Sequence, residues 1–309
     1  MSKEPVSNGF AITTHSLTRR FGRKLALDSV SAHVPTGSIY GLMGPNGAGK
    51  TTFVRCLLNL LDPTAGSATV LGYDVVRDSV AVRRRIGHVA ALQSLWEWMS
   101  VGDLADFMAG CYPRWNSDAV AAVLEPVGIE WEDKIQALSR GQRTLACLAV
   151  AIGHEPEVLL LDEALTGLDP ISRREVLRNV IDVMHAGNRT VLIAGQDIAD
   201  MERICDQVGF LVKGKLLWES TLEELKARVK RLRIEHPEAP PPEIPSDAFN
   251  VERAARQTEF TVRDFTPDRV TALAAPGRRV EVMDRSLEDI FIDLAGPQLR
   301  VAADLEAPR

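Results

Sequence analysis

One eight-residue segment constrains the fold of this 309-residue chain more than any other feature. Residues 44–51 read GPNGAGKT, which fits the pattern G-x-x-x-x-G-K-[ST] of a phosphate-binding loop. In such a loop the glycines let backbone N–H groups turn toward a phosphate, the lysine reaches the β- and γ-phosphates, and the threonine hydroxyl binds Mg²⁺. The predicted phosphate-binding residues are Gly44, Pro45, Asn46, Gly47, Ala48, Gly49, Lys50, Thr51 and Thr52.

The sequence context supports a strand, a loop and a helix in that order. Residues 38–43 are an apolar run, and residues 51–61 have helical character, so the helix would direct its positive end at the bound anion. A second apolar run, residues 158–161, ends in Asp162 and Glu163. Solvated acidic residues are common at strand ends, but a phosphate-binding loop upstream favours a catalytic or metal-binding role for these two acids. We expect Asp162 to support Mg²⁺ and Glu163 to deprotonate or orient attacking water.

Buried strands that alternate with helices predict an α/β fold with a parallel sheet at its core. Residues 158–161 and 190–194 are short apolar runs of the kind found in strands buried on both faces. Nearer the N-terminus, residues 11–17 and 26–34 predict strands joined by a basic turn at 19–24, which gives an antiparallel β subdomain.

The chain changes character after residue 225, where we place a domain boundary. Residues 236–247 contain five prolines, and strand-like segments and a final helix capped by Ser286 follow them. The sequence therefore predicts a small α+β extension at 226–296. Residues 1–10 and 297–309 are expected to be disordered.

Composition excludes several classes of protein. The net charge of −6 argues against broad nucleic-acid binding, and no apolar run approaches the roughly 18–20 residues that span a bilayer. The N-terminus lacks the apolar region of a secretory signal, and the four dispersed cysteines suit reduced thiols in a cytosolic protein. The histidines do not cluster at ligand spacing, so no metal site is expected beyond nucleotide-bound Mg²⁺.

The motifs, taken in order, resemble those of the ATP-binding subunit of an ABC transporter. Residues 138–142, LSRGQ, are similar to the family signature LSGGQ, with Arg140 in place of the first glycine. Residues 166–169, TGLD, resemble the D-loop that follows the catalytic glutamate, and Phe21 stands where the family usually has an adenine-stacking tyrosine. The resemblance is closest to exporter-type subunits that pair with separate ABC-2-like permeases.

This resemblance implies a P-loop NTPase fold, with an ABC cassette at 11–225 and a helical subdomain at about 92–153. It implies ATP and Mg²⁺ as cofactors, a transmembrane permease as partner, and a peripheral position on the inner face of the cell membrane. It also implies a head-to-tail homodimer or heterodimer, in which Ser139, Gly141 and Gln142 of one subunit complete the ATP site of the other. Alternatively Ser139 only caps the next helix, although the two roles can coexist.

Two positions depart from the family pattern. The Q-loop glutamine corresponds to Ala91, with Gln93 two residues later as a candidate substitute, and the switch histidine corresponds to Gln196. An amide donates a hydrogen bond but carries no positive charge. We therefore expect Gln196 to act at the catalytic site in place of the histidine, ATP binding to be intact and hydrolysis to be weakened.

Two further features leave alternatives open. Trp96 and Trp98 are either exposed anchors for a permease or core residues. The basic residues at 83–85, and those between 226 and 233, most simply form solvated faces, although the second group could also contact anionic lipid or the permease.

We interpret the chain as an ABC ATPase subunit that powers a separate permease, with export the favoured direction. The main alternative is a degenerate regulatory subunit, which binds ATP, barely hydrolyses it and completes a partner's site. A nucleic-acid-linked ABC protein of DNA repair or translation is disfavoured, because the chain has one cassette, net acidity and no heptad insertion.

Overall fold

The computed structural model describes residues 9–90, 96–187, 189–237 and 240–306. Its contacts divide the chain into two units, Met1–Glu219 and Ser220–Arg309. The division falls a few residues before the boundary expected near 225, because that position lies inside a helix, Leu222–Arg228, whose first turn is capped by the hydroxyl of Thr221.

The first unit contains an antiparallel sheet and a six-stranded sheet. The antiparallel sheet has the order β2-β1-β5-β6, with β3 also on β1. Its strands are β1 (Phe10–Phe21), β2 (Lys24–Val30), β3 (His33–Pro35), β5 (Ala65–Val70) and β6 (Tyr73–Asp74). It forms the expected N-terminal antiparallel β subdomain.

The six-stranded sheet carries the buried strands that the sequence predicts. Its order is β11-β10-β4-β9-β8-β7, and the neighbours from β10 to β7 are parallel. The strands are β4 (Ile39–Met43), β7 (Ile86–Ala90), β8 (Val158–Asp162), β9 (Thr190–Gly195), β10 (Gln207–Val212) and β11 (Lys215–Thr221). Every residue of β4, β8 and β9 is buried, as expected of central parallel strands covered on both faces.

The helices of the first unit follow the alternation with strands. They are α1 (Lys50–Leu57), α2 (Ser79–Arg83), α3 (Val101–Ala109), α4 (Ser117–Leu124), α5 (Arg140–Ile152), α6 (Pro170–Gly187) and α7 (Ile198–Met201). Three of them, α3 to α5, occur in the chain between β7 and β8, in the region assigned to a helical subdomain. Together with the sheets they confirm the α/β fold class.

The second unit is a four-stranded antiparallel sheet with three helices. The sheet has the order β13-β14-β12-β15. The elements are α8 (Leu222–Arg228), β12 (Lys230–Glu235), β13 (Phe249–Ala254), β14 (Gln257–Val262), α9 (Pro267–Leu273), β15 (Arg279–Met283) and α10 (Leu287–Glu306). Leu232, Ile234, Phe260 and Val262 form its apolar core.

Four local expectations need correction. The basic turn is confined to residues 22–23, because β1 continues to Phe21, which pairs with Lys24. Helix α1 ends at Leu57 rather than 61, and the backbone at Asn59 turns to a φ of 50°. Phe10, expected in a disordered end, pairs with Pro35 of β3.

The fourth correction concerns the C-terminal end. Helix α10 runs to Glu306, although disorder was expected from residue 297. Residues 299–306, LRVAADLE, are mostly strong helix formers, and this propensity outweighs the tail-like composition.

Candidate nucleotide site

The loop between β4 and α1 adopts a backbone that glycine makes possible. Gly47 and Gly49 have φ angles of 79° and 111°, in the left-handed region that other residues rarely enter. A β-carbon on Gly49 would lie 2.5 Å from the carbonyl oxygen of Ala26, so the loop packs directly on strand β2. The turn after β10 supports the loop from another side, because Gly214 N donates to Ala48 O at 2.8 Å.

Lys50 is the buried cation of this loop. Only 2% of its surface is exposed, and its Nζ donates to the carbonyl oxygens of Gly44 (2.8 Å) and Pro45 (3.1 Å). The same ammonium lies 3.1 Å from Oε1 of Glu163. These contacts satisfy a charge that would be costly to bury alone, and they aim it at the mouth of the loop.

Thr51 and Asp162 bring two oxygen ligands together across 111 residues of sequence. The Thr51 hydroxyl donates to Asp162 Oδ1 at 3.0 Å. Burial raises the pKa of the Asp162 carboxyl above its usual value, and the Thr51 hydrogen bond opposes that shift. A hydroxyl and a carboxylate are oxygen donors that Mg²⁺ accepts, with phosphate oxygens and water completing its shell. The residues present therefore fit the expected metal.

Glu163 occupies an unusual backbone conformation at the end of β8. Its φ is 52°, and its N–H donates to Ala194 O of the neighbouring strand at 2.7 Å. A non-glycine residue held in this region carries strain, which is commonest at functional sites. The strand register and this hydrogen bond fix Glu163 beside Lys50.

A pocket of about 330 Å³ joins these residues to the predicted adenine platform. It is lined by Phe21, Lys24, Ala26, Gly47, Gly49, Lys50, Thr51, Thr52 and Glu163. The Phe21 ring is 43% exposed, which leaves a face for a base to stack on, and the Arg19 guanidinium lies 4.7 Å from its centroid. Lys24 and Ala26 are not among the residues that the sequence predicts for this site. The feature that indicates Lys24 as a site residue is its position directly opposite Phe21 in the hairpin.

The signature residues lie at the start of α5 and are not among the residues that line this pocket. Ser139 and Gln142 form a complete capping box, with both reciprocal hydrogen bonds present (3.2 and 3.1 Å). The helix-capping role of Ser139 is therefore confirmed. Its role in the ATP site of a second subunit stays a prediction. Gly141 faces α6 closely, because a β-carbon there would lie 2.3 Å from the hydroxyl oxygen of Ser172.

Gln196 follows β9, at the same sheet edge as Glu163. In the strand register Asp162 pairs with Ala194, so Glu163 and Gln196 both extend beyond that edge. The Gln196 side chain is exposed. The other departures from the family pattern, Ala91 and Gln93, lie outside the described residues.

Trp96 and Trp98 are both on the surface, so the core alternative is wrong. They are 48% and 66% exposed, and Trp96 meets the half-exposed ring of Phe107 edge to face at 5.1 Å. This group, which we call the aromatic patch (Trp96, Trp98 and Phe107), belongs to the segment between β7 and β8.

The basic residues near 226–233 are engaged by acids of their own unit. Arg228 binds Asp264, Lys230 binds Asp284, and Arg233 binds Glu259 and Glu281. Arg231 binds Glu252 and Glu259. This neutralisation weakens the alternative in which these charges contact anionic lipid.

The chain is similar in sequence to known ATP-binding proteins. The model of the ABC transporter family matches residues 27–166. The bacitracin transport ATP-binding protein BcrA of Bacillus licheniformis is 33% identical over 71% of this chain and 72% of its own length. The daunorubicin resistance ATP-binding protein DrrA3 of Streptomyces coeruleorubidus is 36% identical over 73% and 72%.

Solved structures agree on the fold. An ATP-binding subunit of an ABC transporter superposes with a TM-score of 0.63, at 22% identity, over 70% of this chain and 92% of its own. CbiO1 from Clostridium perfringens, part of the ABC transporter complex cbiONQ, gives 0.62 at 23% identity, over 71% and 92%. These likenesses confirm that the first unit has the cassette fold.

Proposed function

The chain belongs to the ABC transporter family as one of its ATP-binding proteins, and from that membership we propose that it drives a separate permease by binding and hydrolysing ATP. Export is the direction we favour, because the relatives are named for drug resistance and bacitracin transport. The observation that carries the proposal is that Lys50, Thr51 and Glu163 line one pocket together with Phe21, while Asp162 is hydrogen-bonded to Thr51.

Each residue of this assembly has a distinct role in the proposed reaction. The backbone N–H groups of the loop and the Lys50 ammonium bind the β- and γ-phosphates, while Phe21 stacks on the base. Thr51 and Asp162 hold Mg²⁺, which supplies charge neutralisation on the phosphates. Glu163 accepts a proton from the water that attacks the γ-phosphorus.

The proposed reaction uses two subunits, as a homodimer or heterodimer. The exposed hydroxyl of Ser139 and the N–H groups at the start of α5 would contact ATP held by the other subunit's phosphate loop. Gln142 orients Ser139 through the capping box. ATP would thereby join the two subunits, and its hydrolysis would release them.

The aromatic patch supports a docking role toward the permease. Two tryptophans and a phenylalanine on the surface are the residue types that anchor protein interfaces. None of the helices in the described residues combines the length and apolar character that a bilayer span requires. We propose that the protein reaches the inner face of the cell membrane through the permease.

Hydrolysis is proposed to be slow, because Gln196 offers no positive charge to the γ-phosphate. Loss of one electrostatic contact of this kind typically lowers a rate by about 10²–10³. The same observation favours the second candidate function, a regulatory subunit that binds ATP and completes a partner's site.

Turnover by the purified full chain, alone and with its permease, tests the proposal. We expect Lys50-dependent hydrolysis that the permease stimulates, and Gln196→His should raise it. Nucleotide binding with no turnover under either condition would overturn the ATPase function and leave the regulatory one. Absence of Mg-ATP binding would overturn both.

A further inference from the structure

Arg140 connects the signature to the loop that follows the catalytic glutamate. Its guanidinium lies directly against Gly167, since a β-carbon there would be 2.4 Å from Nη1 of Arg140 and 2.8 Å from its Cζ. Gly167 has a φ of 74° and no side chain, which leaves the space that the guanidinium fills. Arg140 therefore belongs to the signature, residues 138–142, and its guanidinium also contacts the loop at residues 166–169.

The charge of Arg140 is not neutralised by any acid in the part of the chain that the structure describes. The nearest carboxylate in sequence to Gly167 is that of Asp169, which is already engaged. It accepts the Ser172 hydroxyl at 2.6 Å, and also accepts the backbone N–H groups of Ile171 and Ser172 at 3.0 and 3.1 Å. Arg140 itself is exposed, so its guanidinium can bind an anion supplied by another molecule.

In the proposed dimer, Arg140 brings a positive charge to the ATP site, where the family's positively charged switch residue is absent. The family's positive switch residue is Gln196 here, which is neutral. Arg140 stands between Ser139 and Gly141, the residues assigned to the γ-phosphate held by a second subunit. A guanidinium presents several N–H donors in a planar fork that suits phosphate oxygens.

We propose that Arg140 of one subunit binds the γ-phosphate of ATP held by the phosphate loop of the second subunit, and so replaces part of the missing switch charge. The proposal rests on the dimeric ATPase function given above. During hydrolysis the water oxygen bonds to the γ-phosphorus, Glu163 takes the proton, and the bond from the γ-phosphorus to the bridging oxygen breaks. Its electron pair leaves with ADP, and Arg140 stabilises the negative charge on the γ-phosphate oxygens.

Charge variants separate this role from a purely structural contact with Gly167. Arg140→Gln should lower kcat by about 10²-fold while the KM for ATP changes only a few-fold, and Arg140→Lys should retain much of the activity. Arg84→Gln, which changes another exposed arginine, is the matched control and should behave as wild type. If Arg140→Gln and wild type have the same kcat, the proposal is wrong.

Mixed dimers test whether Arg140 acts across the interface. Arg140→Gln and Glu163→Gln should each be nearly inactive, but a mixed dimer contains one site with both native residues. Mixing equal amounts should restore about a quarter of the wild-type rate, because half of randomly formed dimers are mixed and each has one intact site of two. No recovery after subunit exchange, verified by mass, would overturn the action in trans.

A double-mutant cycle tests whether the guanidinium replaces the switch charge. Gln196→His should raise kcat much more in the Arg140→Gln background than in the wild type. Equal effects in both backgrounds would mean that Arg140 only positions the Gly167 loop.

A fourth measurement does not depend on turnover. ATP-driven association of Glu163→Gln subunits, followed by sedimentation, should weaken at least tenfold when Arg140→Gln is added. An unchanged association constant would overturn the proposal. Failure of the ATPase function would instead appear as a wild type that binds Mg-ATP without turnover, or that binds no ATP at all.

Discussion

Among the residues that the structure describes, each unit buries one lysine or arginine side chain, Lys50 in the first unit and Arg231 in the second, and the two differ in their partners. In the cassette, Lys50 is 2% exposed and is held by two backbone carbonyls and the partly exposed carboxylate of Glu163. In the second unit, Arg231 is 7% exposed and is held by Glu259 at 2.7 Å and Glu252 at 2.8 Å. The acidic partner of Lys50 lines the nucleotide pocket, whereas both acidic partners of Arg231 are part of the sheet.

The difference between the partners of Lys50 and Arg231 distinguishes a residue proposed to bind ligand from one that stabilises the fold. Glu259 lies between Arg231 and Arg233, and it also accepts from Gln257 Nε2 at 2.6 Å, so donors of its own sheet occupy three of the roughly four acceptor sites of its carboxylate. Lys50 keeps one strong interaction that is exchangeable. Burial and charge alone thus do not distinguish a binding site from a structural ion pair; the kind of acidic partner does, because Glu163 lines the pocket whereas Glu252 and Glu259 belong to strands of the sheet.

The largest expected effect lies in the cassette. Glu163→Gln should lower ATP turnover by about 10³-fold, because the amide cannot accept the proton of the attacking water. A phosphate-release assay measures the rate, and Glu157→Gln, an exposed acid just before the same strand, is the control. Turnover within tenfold of wild type would show that Glu163 is not the base.

The next effect concerns the second unit. Arg231→Leu should lower its unfolding free energy by about 3 kcal/mol, because Glu259 is left without one of its buried partners. Urea denaturation measures the loss, and exposed Arg253→Leu on β13 is the control. Nucleotide affinity should not change. Reduced ATP binding in Arg231→Leu would contradict the separation between the two units.

Lys50→Ala should have the opposite effect to Arg231→Leu: lower nucleotide affinity with little change in stability. It removes a charge-assisted contact to the phosphates that contributes about 1.5–3 kcal/mol, so Mg-ATP affinity should fall by tenfold or more. The urea midpoint should stay near that of wild type. Calorimetric titration checks the affinity, with exposed Lys215→Ala as control. Unchanged affinity would count against the phosphate site.

The smallest effects are pH-dependent and opposite in sign. Burial raises the pKa of Asp162, so its charged form destabilises the free protein, and Asp162→Asn should raise Tm by about 2–4 °C at neutral pH. Burial raises the pKa of Glu259 too, but Arg233 and Arg231 lower it more, so its net shift is downward. Its stabilisation is present above the unfolded pKa and lost as pH falls through the folded one.

A thermal melt at several pH values measures both shifts. Glu259→Gln should destabilise at pH 7 and have little effect in strong acid, whereas the benefit of Asp162→Asn should disappear on acidification. Asp162→Asn should also abolish the stabilisation by Mg-ATP. Shifts of equal sign for the two variants would contradict the comparison.

The sequence predicts the family and the fold class of the cassette well, because its motifs are local. The glycines, Lys50 and Thr51 are contiguous, and the strand Val158–Asp162 is a continuous apolar run. The family assignment and the fold class follow from these segments and are confirmed by the comparisons. The roles of the individual site residues remain predictions that the variants above test.

The second unit was predicted less completely. The basic residues between 226 and 233 most simply predict a solvated face. In strand β12, however, Arg231 and Arg233 alternate with the buried Leu232 and Ile234 in the period of a strand. The carboxylates that neutralise those arginines lie some 20–50 residues further along the chain, where no local pattern indicates the pairing. The contact between Arg140 and Gly167 was missed for the same reason.

The ion pair between Lys50 and Glu163 has a consequence for the resting protein. Without nucleotide, Oε1 of Glu163, the proposed base, lies 3.1 Å from the ammonium of Lys50, the residue proposed to bind phosphate. If Lys50 binds phosphate as proposed, nucleotide entry has to break this pair, so the apparent ATP affinity should be lower than the intrinsic affinity of the loop. Under the proposed roles, phosphate binding by Lys50 and release of the Glu163 carboxylate are therefore one event.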